Sequence, residues 1–295
     1  MTEQSADQQH DEAEAQGEMT FWDHLEALRW MLIRVLVVLA VLVVGGFGFI
    51  PWIFEHVVMA PSRNDFFLYT WMNKGASALA MLPDDLKRPF HVDIINIQLS
   101  SQFFLHMTLS VWFAVLVAFP YLIYEIWKFI CPALYANERK SMRFTFVFGT
   151  VMFFMGCVVG YSVVFPLTLR FLYNYQLSPE ITNQLSLDSY MSNFLMLVFM
   201  MGIIFELPLV SMLLSKLGLL YREFFSTYRR HAIVALLVVA AFITPSADPF
   251  TLMAVFLPIY VLWEMSALLV KPAPKDTGED DGPDDDDSGY GSVAD

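Results

Sequence analysis

The sequence predicts an all-α integral membrane protein of six transmembrane helices. Hydrophobic residues make up 57% of the 295 residues and charged residues only 16%, with a mean hydropathy of +0.52. Soluble domains are usually about 45–50% apolar and about 25% charged. Several apolar stretches also approach the roughly 20 residues that a helix needs to cross a hydrocarbon core about 30 Å thick. Composition and segment length therefore both indicate a membrane protein.

Six apolar segments account for the predicted helices. They lie at residues 31–50, 103–128, 144–167, 194–214, 231–244 and 250–270. The amphipathic stretch "FWDHLEALRW" leads into the first segment, and a long polar loop with four prolines follows it. Apolar runs of this length, bounded by polar residues, are typical of membrane spans.

The fifth segment is short for a membrane span. Its 14 residues at 231–244 would reach only about 21 Å as a helix. The following turn, "TPSADP", should then lie below the outer surface in a recess of a concave bundle, because a polar turn at membrane depth must be buried or line a wet cavity. The sixth helix starts at the same turn and is a candidate for the same shortening. Alternatively, the fifth helix extends back through "YRRH", with Arg229 and Arg230 snorkelling to the interface.

Lysine and arginine are distributed unequally between the two sides of the predicted helices. With six spans both termini share one side, which holds twelve basic residues, whereas the other side holds five. Cytoplasmic loops of membrane proteins carry the excess of Lys and Arg. We therefore expect a multi-pass protein with both termini in the cytoplasm and the long first loop outside.

The two ends of the chain carry the excess of acidic residues. Residues 1–18 hold six acids and no Lys or Arg, and residues 271–295 hold nine acids and two lysines. The body at 19–270 is balanced, with 15 acidic and 15 basic residues. Such acidic segments, poor in aromatic residues, are typical of disordered tails. We expect one membrane domain at 19–270 between two disordered acidic tails.

Two acidic residues lie inside apolar segments, Glu206 in the fourth and Glu264 in the sixth. A charge at the centre of a bilayer costs at least about 2.5–3.5 kcal/mol, so such residues usually face a bundle interior or a cavity and mark function. The alternative is an interhelical hydrogen bond that only holds the bundle together. Pro208 follows Glu206 and should bend the fourth helix, because proline leaves a carbonyl one turn earlier without its donor.

The loop after the second segment, "YEIWKFICPALYANERK", combines carboxylates with aromatic residues. Glu125 and Glu138 lie among Trp127, Phe129 and Tyr135. Carboxylates pair with a guanidinium in a bidentate way, and aromatic rings stack on it. The loop is therefore a candidate arginine-binding site. The alternative is an ordinary amphipathic loop at the membrane interface.

Motifs for catalysis, metals or cofactors are missing from the sequence. The six histidines form no HExxH pair, the two cysteines form no CxxC pair, and neither G-x-S-x-G nor a Walker loop occurs. We therefore expect no enzyme activity, no metal, no cofactor and no nucleic-acid partner.

Five motifs in order carry a family resemblance. They are "FWDHLEALR" before the first segment, "FICPALYANER" in the second loop, "FELP" in the fourth segment, "ITPSADPF" before the sixth and "LPIYVLWE" within it. Together they resemble the TatC family, the multispanning core subunit of the twin-arginine protein translocase. The resemblance covers about residues 20 to 270.

The resemblance implies a receptor function in the prokaryotic cytoplasmic (inner) membrane. TatC-like proteins recognise signal peptides that carry a pair of arginines. They self-associate and assemble with single-span TatA/TatB-type proteins to export folded proteins, using the proton-motive force. They contain no catalytic centre.

The resemblance also implies which residues bind the signal peptide. Glu138 matches the loop glutamate that binds the arginine pair, and Phe129 matches the aromatic residue before Pro-Ala-Leu. Leu25 and Arg29 match the N-terminal pattern of the family, as do His24 and Leu28. The family's glutamate position is Ala27 here, and Glu26 stands one residue earlier. Because one residue turns a helix by about 100°, Glu26 is carried over only as a weak candidate, as is Glu125.

A second group of residues matches the intramembrane positions at which partner helices or an inserted peptide dock. The group comprises Glu206, Pro208, Thr244, Asp248 and Glu264. Leu252 stands where the family often has glutamine, which would make Thr244 and Glu264 more important here.

Two rival functions remain open from the residues alone. A proton-coupled transporter of a small solute would use Glu206 and Glu264, although the two halves of the chain show no internal repeat. An intramembrane enzyme would need a nucleophile with a base or a metal set, and the sequence shows neither.

Overall fold

A computed structural model describes residues 21–63, 65–70, 92–130, 139–178, 180, 183–244 and 248–272. Almost all of the expected acidic tails lies outside the described residues, and so does Glu138. The described residues form nine numbered helices and one short pair of strands. The helices are α1 Phe21–Gly46, α2 Ser101–Ile130, α3 Arg139–Val159, α4 Phe165–Asn174, α5 Leu187–Ile204, α6 Leu207–Lys216, α7 Arg222–Thr227, α8 Arg229–Ile243 and α9 Pro249–Leu269.

The first helix does not stop at residue 50, where its apolar segment ends. After α1 the chain continues through a 3-10 turn at Phe47–Phe49, a single helical turn at Ile50–Ile53, a π-helical turn at Phe54–Val58 and a 3-10 turn at Ala60–Ser62. Pro51 and Pro61 each lie in the first turn of one of these pieces. Proline is tolerated there because the N–H that it lacks would have no helical partner.

Five of the described helical runs are long and apolar enough to cross a membrane. They are Leu25–Thr70, Ser101–Phe129, Val147–Asn174, Leu187–Lys216 and Pro249–Leu269. The second half of the third run contains a π-helical turn, Gly160–Val164, between α3 and α4. Helix α8 has only 15 residues, about 22 Å of helix. It begins at Arg229, so it includes part of the "YRRH" stretch, and the number of spans stays a prediction.

Four pairs of helices form the main packing contacts. Helix α1 lies against α2, α3 against α5, and α9 against α6 and α8. Strand β1 (Ile94–Ile95) pairs in parallel with β2 (Leu185–Ser186), so the loops before α2 and before α5 meet at one end. We call this the outer end. The opposite end, where α1 and α8 begin and α2 and α9 finish, is the inner end.

Glycines allow α3 and α5 to approach closely. A Cβ atom on Gly156 would lie 2.5 Å from the carbonyl oxygen of Met201, and one on Gly202 would lie 2.6 Å from the Cys157 sulfur. Gly160, one turn beyond Gly156, also faces α5 backbone. Small residues at this spacing are common where membrane helices touch.

Three tyrosine hydroxyls hold the irregular run after α1 at the outer end. Tyr161 donates to the carbonyl of Val57 at 3.0 Å, and Tyr190 donates to the carbonyl of Val58. Tyr69 donates to the carbonyl of Pro61 at 2.9 Å. Tyr69 and Tyr190 are buried. The three side chains supply donors to carbonyls where the α-helical pattern has ended.

Candidate functional site

An ion pair links α1 and α2 near the inner end. Nη2 of Arg34 lies 2.7 Å from Oε2 of Glu125, and Nε donates to Oε1 at 3.2 Å. The hydroxyl of Tyr121, one turn earlier on α2, donates to Oε1 at 2.9 Å. The Glu125 side chain is 4% exposed and the Arg34 side chain 43%. Glu125 is therefore a buried carboxylate with three donors from its own chain.

This pairing changes the interpretation of Glu125 as a weak arginine-binding candidate. The residue does bind an arginine in bidentate fashion, as the loop chemistry predicted. That arginine is Arg34 of the same chain. The carboxylate is occupied as the structure stands, so binding a further guanidinium there would require Arg34 to leave.

Phe129 lies one turn beyond Glu125 and is half-buried. Residues four apart share a helix face, so Tyr121, Glu125 and Phe129 form one stripe along α2. The stripe ends at the loop that carries Glu138. The structure thus places one predicted peptide-binding residue beside the Arg34–Glu125 pair, while Glu138 lies outside the described part of the chain.

The predicted residues at the start of α1 are mostly exposed. Leu25, Glu26 and Arg29 are exposed, and the guanidinium carbon of Arg29 lies 5.7 Å from the ring centroid of Trp30. Such a separation allows a cation–π contact. Ala27 is half-buried. Glu26 therefore points to a different side from the family's glutamate position, as the 100° rotation per residue implies.

Glu206 lies at a break in the fourth helical run. The chain leaves α-helical bonding between α5 and α6, where the Glu206 N–H donates to Ile203 three residues back, at 3.0 Å. Pro208 then lies in the first turn of α6. The break occurs where "FELP" predicted a bend, because the first turn is the position in a helix that tolerates proline.

The Glu206 carboxyl group is buried and faces α3. Neither oxygen has a hydrogen-bond partner among the described residues. A Cβ atom on Gly149 would lie 3.3 Å from Oε2 of Glu206, so the carboxyl group lies directly over that glycine. The next residue, Thr150, also has a buried hydroxyl without a partner in the described chain. Both polar groups therefore have unused hydrogen-bonding capacity, and the Glu206 carboxyl group lies where α3 meets the start of α6.

Thr244 and Asp248 flank the turn before α9. Thr244 is buried and donates to the carbonyl of Ala241 at 3.4 Å. Asp248 is the N-cap of α9 and accepts a hydrogen bond from the N–H of Thr251 at 2.8 Å. Both residues thus have local structural contacts. Leu252, at the family's glutamine position, packs against the main hydrophobic core.

Glu264 is not the deeply buried anchor that the sequence suggested. Nη2 of Arg229, the first residue of α8, lies 2.8 Å from Oε2 of Glu264, and the hydroxyl of Tyr260 donates to Oε1 at 2.9 Å. The exposed fractions of the Arg229 and Glu264 side chains are 55% and 34%. Glu264 lies near the inner end of α9, where the start of α8 places the Arg229 guanidinium beside it.

The two Arg–Glu–Tyr arrangements have the same construction, which the sequence reasoning missed. In each, a tyrosine and a glutamate lie four residues apart on one helix, and an arginine comes from the helix packed beside it. The sequences are "YLIYE" at 121–125 and "YVLWE" at 260–264. The repeated Y-x-x-x-E spacing was visible, but the arginine partners were not, because they depend on which helices are neighbours.

An apolar cavity of about 570 Å³ opens between the first, second, third and fourth helical runs. Its lining residues include Trp52, Trp112, Phe154 and Phe199. None of the lining residues belongs to the turn between α8 and α9. The cavity is therefore distinct from the recess that the short fifth segment predicted. Within the described ranges, no cluster of His, Cys, Asp and Glu is suited to a metal ion.

Sequence comparison relates the chain to named proteins. The profile of the family described as Sec-independent protein translocase protein (TatC) matches residues 23–258. The protein of that name from Blattabacterium sp. subsp. Periplaneta americana (strain BPLAN) is 31% identical over 251 residues, which cover 85% of this chain and 94% of the relative. Its namesake from Deinococcus radiodurans is 30% identical over 249 residues, which cover 84% of both chains.

Comparison with solved structures agrees with the sequence comparison. A crystal structure of the twin-arginine translocase receptor TatC aligns with a TM-score of 0.65 at 28% identity, covering 83% of this chain and 97% of that one. A second, obtained in DDM, aligns with a TM-score of 0.67 at 28% identity, covering 84% and 99%. These matches confirm the predicted all-α membrane fold, and they favour the translocase over the small-solute transporter. The chain belongs to the TatC family of Sec-independent protein translocase proteins.

Proposed function

We propose that this protein binds twin-arginine signal peptides at the inner end of α1 and α2, as the receptor and core subunit of a translocase that exports folded proteins. The observation that carries the proposal is the surface formed there. It combines the α2 stripe ending at Phe129 with the exposed residues Leu25 and Arg29 of α1. Glu138 follows eight residues after the end of α2.

The chemistry of this surface suits an arginine pair. A guanidinium binds a carboxylate in a bidentate way and stacks on an aromatic ring. Phe129 supplies the ring, and Glu138 supplies the carboxylate. Glu125 is left out of the peptide-binding set, because Arg34 and Tyr121 already occupy its oxygens.

We assign the docking of partner helices to the intramembrane residues. A buried carboxyl group without a hydrogen-bond partner in the described chain, as at Glu206, gains free energy when a partner supplies a donor. We assign Glu206 and Pro208 to the docking of TatA/TatB-type single-span proteins or of an inserted peptide. By the resemblance we also assign Thr244 and Asp248, at the outer end, and Glu264, near the inner end of α9, to the docking of partners. Self-association of this chain belongs to the same assembly.

The proposed role is transport without catalysis. The protein would lie in the cytoplasmic membrane of a prokaryote with both termini inside, and the proton-motive force would supply the energy. The twelve-to-five distribution of Lys and Arg supports this orientation.

Charge reversal at Glu138 tests the peptide-binding assignment. We expect Glu138→Arg to abolish photo-crosslinking to a twin-arginine signal peptide in membrane vesicles and to stop export of its folded cargo, since two like charges then meet. Glu223→Arg, an exposed residue of α7, is the matched control for the same charge change. Crosslinking that is unchanged by Glu138→Arg would remove the site from this loop.

A further inference from the structure

The buried Glu125 carboxylate is an unusual feature for the end of a membrane helix. A carboxylate taken out of water needs a closely paired cation and further hydrogen bonds to remain charged. Arg34 supplies both, through two N–H groups at 2.7 and 3.2 Å, and Tyr121 adds a third donor at 2.9 Å. Among the described residues, the Arg34–Glu125 ion pair joins α1 to α2.

The geometry of the pair limits how the two helices can slide past each other. A bidentate contact requires both oxygens to meet the planar guanidinium, so a displacement of one helical residue, about 1.5 Å along the axis, would break at least one of the bonds. Apolar side chains resist such sliding only through their interdigitated packing, because they have no directional bonds. The ion pair therefore adds a directional restraint on the axial register of α1 and α2.

The register determines which side chains of α1 and α2 lie level with each other at the inner end. The two helices are antiparallel, so one turn towards the inner end leads from Arg34 to Trp30 on α1 and from Glu125 to Phe129 on α2. Both steps cover four residues, about 6 Å. The ion pair thus places Trp30 level with Phe129, and Arg29 lies against the Trp30 ring.

We propose that Arg34 and Glu125 are positioning residues, which hold α1 and α2 in the register that makes Phe129 and the start of α1 a single peptide-binding surface. This inference rests on the proposed function of that surface. Neither residue touches the signal peptide. They act by fixing the relative height of the side chains that do.

A different use of the same contact is exchange, in which an arginine of the peptide replaces Arg34 on Glu125. The 4% exposure of the Glu125 side chain opposes this, since an incoming guanidinium would have to lose its water to reach a covered carboxylate. The two mechanisms predict opposite effects of removing Arg34 on the affinity for the signal peptide. Removing Arg34 weakens peptide binding if the pair sets the register, and strengthens it if Arg34 is a competitor.

The test uses charge removal and charge exchange in the full-length protein. The variants are Arg34→Gln, Glu125→Gln, the double variant with both changes, and the exchanged pair Arg34→Glu with Glu125→Arg. Arg230→Gln, an exposed arginine at the inner end, loses the same charge without breaking an ion pair of the described chain. The yield of photo-crosslinking between position 129 and a twin-arginine signal peptide is normalised to the amount of inserted protein.

A second measurement reports on the register without the peptide. Spin labels at Leu36 of α1 and Val117 of α2, both exposed, give the distance between the helices by pulsed electron paramagnetic resonance. Cysteines at these two positions are introduced after Cys131 and Cys157 are replaced by alanine. A change confined to stability would lower the amount of protein without broadening this distance distribution.

We expect each single variant to lower the crosslinking yield by about tenfold and to broaden the distance distribution, whereas the exchanged pair restores both. The double glutamine variant should fold, because it leaves no unpaired charge, yet it should crosslink weakly. Parent-like crosslinking in Arg34→Gln and Glu125→Gln, or a gain in Arg34→Gln, would overturn the positioning role. A parent protein that fails to crosslink at all would instead overturn the proposed function.

Discussion

Replacement of Gly156 by alanine should destabilise the contact between α3 and α5. The added Cβ would lie 2.5 Å from the carbonyl oxygen of Met201 and 2.7 Å from Cβ of Phe205. Both atoms belong to or adjoin the backbone, so α5 has to move away. Overpacking of this kind typically costs about 1–3 kcal/mol.

The assay for this prediction is thermal unfolding of the detergent-solubilised protein. A loss of about 1–3 kcal/mol corresponds to a melting temperature about 2–12 °C lower. Gly45→Ala is the matched control, because no atom lies within 4 Å of the Cβ it would add. Alanine favours a helix over glycine by about 1 kcal/mol, so the control should be at least as stable as the parent. Equal melting temperatures for the two variants would refute the close approach of α3 and α5.

Two further substitutions address the intramembrane positions. Glu206→Gln should leave the melting temperature nearly unchanged, since no described residue donates to the carboxyl group, while export of a folded reporter protein falls; normal export would contradict the docking role of Glu206. Asp248→Ala should lower the stability by about 0.5–2 kcal/mol through loss of the cap on Thr251, and Asp248→Asn should retain most of it. An equal loss in both variants would show that charge at this position matters more than capping.

Apolar run lengths made the helices of this protein predictable. The long apolar segments around α2 and α9 became helices, because in a bilayer every backbone polar group must be bonded within the segment. The break at Glu206 was also foreseeable, since Pro208 has no N–H and its ring displaces the preceding turn. Phe129 and the start of α1 were found through motifs rather than through hydropathy.

Contacts between helices were harder to predict from the sequence. Periodicity assigns residues to a face of a helix, but it does not identify the helix opposite. Glu125 was therefore interpreted as a ligand for an external arginine, although Arg34 of α1 lies beside it. The structure joins them to each other. Glu264 was expected in the membrane interior for a similar reason, because the position of Arg229 relative to α9 depends on the packing of α8.

The tyrosines at the outer end have a consequence for unfolding. Tyr69, Tyr161 and Tyr190 come from three separate parts of the chain, yet all donate to carbonyls within the short stretch from Val57 to Pro61. Separation of this stretch from the bundle would leave several polar groups without partners at once. The free-energy cost exceeds the sum of the costs of breaking the three hydrogen bonds one at a time. The irregular stretch therefore opens together with the helices that hold it, as one cooperative unit rather than as a loose end.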